Sequence, residues 1–148
     1  MQKRYRILVI NPKTTKTIIS VFHNVKCIYK QTINHHTVFK SDLTEIDNEV
    51  TVRKTQILRV LNEAGINMSK LDAVSANGGL LRAIEGGTYF VTNDVLKDLR
   101  SSYNGKHASN LGGILASEIA KGLNIRAYIV DRPVVEELSE LARFAGLP

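Results

Sequence analysis

The 148-residue sequence holds one cysteine, no tryptophan, three prolines and no long apolar run. A lone thiol, Cys27, can neither close an internal disulfide nor complete a thiolate metal site, and it reads as an inert, partly buried strand residue. No stretch is long and apolar enough for a membrane span or a signal peptide, so the expected compartment is the cytoplasm. Repeats, low-complexity tracts and linkers are missing too, which leaves a single expected domain over 1–148. There is no G-x-x-x-x-G-K phosphate loop. The four histidines lack ligand spacing: His35 and His36 are neighbours pointing to opposite faces of an extended chain, and His23 and His107 have no partner. A protein metal cluster is therefore not expected.

What is present is positive charge. Against 14 Asp and Glu stand 20 Lys and Arg, a formal net charge of +6, with a pI near 9.6. Such a balance favours anionic partners: phosphates, nucleotides or nucleic acids. The excess gathers early, in Lys3, Arg4, Arg6, Lys13, Lys16, Lys26, Lys30 and Lys40, and predicts a basic face near the N-terminus. Nucleic acid is the weakest of these readings, because five tyrosines and four phenylalanines offer few stacking platforms.

The periodicity predicts an α/β fold. Residues 5–10 and 18–22 are β-branched runs that read as a hairpin around the loop Asn11–Thr17, and Cys27–Ile33 adds a third strand after a short turn at His23–Lys26. From Ser41 or Asp42 to Ala64 the apolar positions Val52, Ile57, Leu58, Leu61 and Ala64 recur at helical spacing, with a break near Ile46–Asn48 and Gly65 as C-cap. Residues 71–79 form a strand running into Gly78-Gly79, and 86–91 form another short extended piece. Thr92 caps the helix that follows. Residues 107–124 form a helix with Leu111, Ile114, Leu115, Ile119 and Leu123 on one face, capped by Ser109 or Asn110. A buried strand over 125–131 and a helix over 134–146, opened by Pro133, complete a mixed sheet with an antiparallel N-terminal meander and flanking helices.

In such sheets ligands sit beyond the strand ends, where the loop Asn11–Thr17, the segment Asn77–Gly79 and Asp131 gather. The loop either grips a phosphate through converging N–H groups, Thr hydroxyls and Lys13 or Lys16, or is a plain basic turn. The glycine pairs 78–79 and 86–87 either admit a ligand close to the backbone or make tight turns. Asp131 either holds Mg²⁺ and orients a reacting group or caps the next helix. His107 either lines the cleft or caps the helix beside it.

Four segments carry a specific resemblance: "RILVINP", "DAVSANGGLLRAIEGGTY", "HASNLGGILASEIAKGLNI" and "YIVDRPVVEELSELARFAGLP". Together they closely resemble the N-terminal domain of the butyrate kinases, in the acetate and butyrate kinase family of the sugar kinase, Hsp70 and actin superfamily. The resemblance runs from Arg6 to Pro148. It implies a ribonuclease-H-like (actin-like ATPase) domain and transfer of the γ-phosphoryl of ATP, with Mg²⁺, to a short-chain carboxylate, giving an acyl phosphate. It places phosphate binding at Asn11, Lys13, Thr14, Thr15 and Thr17, the substrate cleft at Asn77, Gly78, Gly79 and His107, and the catalytic, Mg²⁺-proximal carboxylate at Asp131.

The chain departs from the family pattern at chemically demanding positions. The family's hairpin loop reads N-P-G-S-T-S-T-K; here Lys13 takes the place of glycine and Ile18 that of the final lysine. Its G-R-G-G arginine is Asn77, an amide without a guanidinium's bidentate charge, and Arg132 follows Asp131 where proline is usual. The family's second domain is expected to be absent, so the isolated chain is expected to be inactive unless a separate C-terminal domain joins it. The alternative is a degenerate, non-catalytic binding or self-association module.

Overall fold

The computed structural model describes residues 4–35, 43–77, 88–101 and 110–130. Lys3, His36, Lys40, Gly78, Gly79, the pair Gly86-Gly87, His107, Ser109, Asp131, Arg132, Pro133 and the helix expected over 134–146 lie outside the described residues, as does any start of the first helix at Ser41 or Asp42.

The described elements are β1 (Arg6–Pro12), β2 (Lys16–His23), β3 (Lys26–Asn34), α1 (Leu43–Glu63), a 3-10 turn (Met68–Lys70), β4 (Ala73–Asn77), β5 (Thr88–Phe90), α2 (Asn93–Ser101), α3 (Asn110–Leu123) and β6 (Arg126–Val130). They build one six-stranded sheet in the order β3-β2-β1-β4-β6-β5. The meander β1–β2–β3 is antiparallel, β4 and β6 run parallel to β1, and β5 returns antiparallel on β6. The expected mixed sheet with an antiparallel meander is present.

Two-residue alternation sorts the sheet's side chains onto two faces. Leu8 sits opposite Val21 and beside Val74, Ile10 opposite Ile19 and beside Ala76, and Ala76 beside Ile129. All are buried, and with Ile46, Ile57 and Leu61 of α1 and Leu111, Ile114, Leu115 and Ile119 of α3 they make the main core. Ile7, Ala73 and Tyr128 form a smaller cluster on the other face. Burial pushes the Tyr128 phenol above its ordinary pKa of 10.0, with the Arg126 guanidinium opposing in smaller measure.

Local chemistry sets several element ends. Gly65 (φ 75°) ends α1, and its N–H and that of Ile66 return to the carbonyls of Asn62 and Leu61. Asn124 (φ 57°) ends α3 in the same way. The Thr92 hydroxyl accepts from Val95 N–H at 3.2 Å, the expected cap of α2. At Gly113 a Cβ would lie 2.5 Å from Leu99 Cδ1, so the missing side chain lets α3 close on α2.

Several expectations need correction. The helix α1 is continuous from Leu43 to Glu63, without the break near Ile46–Asn48. Its buried stripe runs Ile46, Val50, Arg53, Ile57, Leu61, whereas Val52 is 44% exposed and Ala64 is exposed. Cys27 is exposed, because it lies toward the start of the edge strand β3, in which only Ile33 is buried and Tyr29 half-buried. A bulge at Ile28 shifts the register, so that Val21 faces Tyr29 but Phe22 faces Cys27. Of the early basic residues, Lys13 and Lys16 flank the first hairpin turn, while Lys26 lies at the other end of the meander, roughly 25 Å away by strand rise.

Candidate functional site: the first hairpin loop

Because β1, β4 and β6 are parallel, their carboxyl ends, Pro12, Asn77 and Val130, lie along one edge of the domain. Asn77 pairs with Val130 in register. The hairpin loop rises from this same edge. It is shorter than its sequence implies: Asn11 and Pro12 belong to β1 and Lys16 and Thr17 to β2, leaving Lys13, Thr14 and Thr15 as the connection. All four residues from Lys13 to Lys16 are exposed.

Thr17 is the exception. It shares the helix-covered face with Ile19 and Val21, two and four residues on, and is fully buried. Its hydroxyl lies 2.7 Å from His35 Nε2 and accepts from Arg53 Nη1 at 3.2 Å. Asn11 stands on the opposite face, half-buried, directly across from half-buried Ile18.

Arg53 organises what lies beneath the loop. Although fully buried, it is satisfied from two sides. Its Nε donates to Glu49 Oε2 at 2.8 Å, one helical turn back. Its Nη1 donates to the carbonyls of Lys13 (2.7 Å) and Lys16 (3.3 Å), and its Nη2 to that of Thr14 (3.0 Å). The Thr15 carbonyl accepts from His35 N–H at 2.8 Å. Lys13 N–H reaches Lys16 O at 2.7 Å, but the Lys13 carbonyl goes to Arg53 rather than to Lys16 N–H, the bond that would close an ordinary turn.

This carbonyl pattern fixes the amides. In a trans peptide C=O and N–H point in opposite directions, so with the Lys13 and Thr14 carbonyls drawn down to the guanidinium, the N–H groups of Thr14 and Thr15 point up and away. Neither has a hydrogen-bond partner among the described residues. Two successive outward N–H groups, two exposed hydroxyls and the flanking ammonium groups of Lys13 and Lys16 make a donor surface suited to an anion.

A second concavity, of about 750 Å³, lies at the other end of β6, near Phe90, Leu96, Ser117, Lys121 and Arg126. There Arg126 stands 5.5 Å over the Phe90 ring, which packs on Tyr128 at 4.9 Å. It is remote from the strand ends that gather the candidate residues.

Comparison with known proteins places this arrangement. A probable butyrate kinase of Oceanobacillus iheyensis is 49% identical over all 148 residues, which cover 41% of that protein. The likeness to this probable butyrate kinase runs along the whole chain. It spans less than half the length of that relative. No protein-family model matches it. The acetate kinase of Porphyromonas gingivalis superposes with a TM-score of 0.57 over 96% of this chain and 43% of its own, at 14% identity. That of Entamoeba histolytica gives 0.50 over 84% of this chain and 34% of its own, at 16% identity. These likenesses carry the fold, which is the actin-like, ribonuclease-H-like one.

Of the residues the butyrate kinase resemblance singles out, the structure brings Asn11, Lys13, Thr14, Thr15 and Thr17 together at one strand end, with residue 77 at the same edge. Gly78, Gly79, His107 and Asp131 lie outside the described residues. Arg53, Glu49 and His35 were missed. The signal for Arg53 was available: it interrupts the run Ile46, Val50, Ile57, Leu61 at a position the helical period assigns to the core, with a carboxylate four residues before it.

Proposed function

We propose that the chain is the N-terminal domain of a short-chain carboxylate kinase, and that its first hairpin loop holds a phosphate group of ATP while the γ-phosphoryl passes to the carboxylate. The observation that carries this reading is the full-length relation to a probable butyrate kinase. The loop geometry supports it independently. Phosphoryl transfer asks the protein mainly for positioning and for donors at the developing charge. The Thr14 and Thr15 amides supply fixed donors, Thr14 and Thr15 hydroxyls add adaptable ones, and Lys13 and Lys16 contribute long-range attraction.

Asp131 is the residue that would hold Mg²⁺, which would supply neutralising charge at the transferring phosphoryl group. The described loop is a set of N–H, hydroxyl and ammonium groups, which fits the anion and not the metal. A cleft for both substrates is completed by the portion of the relative that this chain does not match.

Trapping the acyl phosphate tests the reading. With ATP, Mg²⁺, butyrate and hydroxylamine, hydroxamate is expected when the chain is combined with the unmatched portion of the relative, and little or none from the chain alone. Absence of hydroxamate in both mixtures rejects the catalytic assignment. A second reading, a non-catalytic phosphate-binding module, draws on Lys13 in place of glycine and on Ile18 lying half-buried beside Asn11. Phosphate binding without hydroxamate would favour it.

A further inference from the structure

We infer that Arg53 is a positioning residue for phosphate recognition: the buried guanidinium, held by Glu49, turns the N–H groups of Thr14 and Thr15 outward and keeps them there. The inference rests on the reading of the hairpin loop as the phosphate site. It assigns the work to a side chain on α1, forty positions along the chain from Lys13.

Three observations carry it. The guanidinium takes the Lys13 carbonyl that an ordinary two-residue hairpin turn would give to Lys16 N–H, so the turn's shape is imposed from below rather than by its own closing bond. It also takes the very next carbonyl, that of Thr14, so two successive peptide planes are fixed in the same sense. Finally, Arg53 is fully buried and does not touch the exposed surface of the loop, so its contribution to an anion is indirect. The planar fork is needed for this. A lysine ammonium is a single point and cannot reach Glu49 and the Lys13 and Thr14 carbonyls together.

This arrangement also accounts for a loop without the family's glycine. In a flexible glycine loop the backbone adopts its donor conformation by conformational freedom. In this chain Lys13 and Thr14 carry side chains, and orientation comes from an external clamp. Preorganised donors lose no reorganisation energy when the anion arrives.

The test follows the Thr14 and Thr15 amide resonances of the 148-residue chain during titration with inorganic pyrophosphate. In the wild-type chain both amides are expected to shift saturably. In Arg53→Lys, with the remaining amide spectrum preserved, those two shifts are expected to shrink and the apparent Kd to weaken about tenfold or more, the scale of one lost charge-assisted hydrogen bond. Equal Kd values and equal shifts in the two proteins would overturn the role of Arg53 and leave the loop as the phosphate site. Silence of both amides in the wild-type chain would overturn the phosphate reading itself, and the inference with it.

If Arg53→Lys does not fold, the paired change Glu49→Gln with Arg53→Met removes both buried charges at similar volume and is read in the same way. A measurement on the wild-type chain decides independently of any variant. Scalar couplings across the hydrogen bonds from the Arg53 guanidinium nitrogens to the Lys13 and Thr14 carbonyl carbons are expected to persist as pyrophosphate binds. Their loss on binding would overturn the clamp.

Discussion

The two turns of the N-terminal meander are built on opposite plans. The turn between β2 and β3 takes its bend from a residue of its own, Asn24 at φ 56°, which is also tied to the chain before β1: its N–H donates to Tyr5 O at 2.8 Å, and its Oδ1 accepts from Tyr5 N–H at 2.9 Å. Asparagine tolerates the left-handed conformation, so the residue at the bend supplies the bend. The turn between β1 and β2 contains no residue with positive φ among Lys13, Thr14, Thr15 and Lys16. Its shape comes from Arg53 and His35, far along the chain. A turn that only has to reverse the chain can be left to its own residues, whereas one that must aim its amides is held by the core.

The sharpest way to break this contrast is Arg53→Met. It takes the guanidinium away from the buried Glu49 carboxylate and from the carbonyls of Lys13, Thr14 and Lys16, and the expected loss is about 3–5 kcal/mol in denaturant unfolding, the scale of breaking a buried ion pair. Next comes Thr17→Val, which keeps the volume but takes the hydroxyl from Arg53 and His35; a loss of about 1–3 kcal/mol is expected. Smaller than that of Arg53→Met is the loss expected for Asn24→Ala, about 1.5–3 kcal/mol from left-handed backbone strain and a lost side-chain bond. If Arg53→Met costs no more than Asn24→Ala, the two turns are held alike and the distinction fails. A loss at Thr17→Val close to that of Arg53→Met would instead make the hydroxyl the keystone of the loop.

The same contrast explains what could be read from sequence. The local turn at His23–Lys26 was legible because Asn24 lies in it. The meander, α1, the apolar face of α3, Gly65 as a cap and Thr92 as a cap were legible for the same reason: each is written in neighbouring residues. The hairpin loop lies where the sequence puts it but is shorter, because Pro12 and Thr17 look like turn residues and yet pair with each other across the β1–β2 ladder. The clamp was not legible. The apolar pattern takes in Val52, which the helix turns toward solvent, and leaves out its neighbour Arg53, which lies on the buried stripe. Periodicity places a side chain on a face; it does not name the group from another element that waits there.

The edge strand β3 has a consequence for the company the molecule keeps. An unpaired strand is an open invitation to a second chain to extend the sheet, and flat apolar edges accept it. Among the described residues no strand pairs with the outer side of β3, and that side is kinked by the bulge at Ile28 and crossed by the exposed ammonium groups of Lys26 and Lys30. A second copy of β3 brought to this edge would meet a broken register and like charges, the features by which edge strands resist sheet-to-sheet growth.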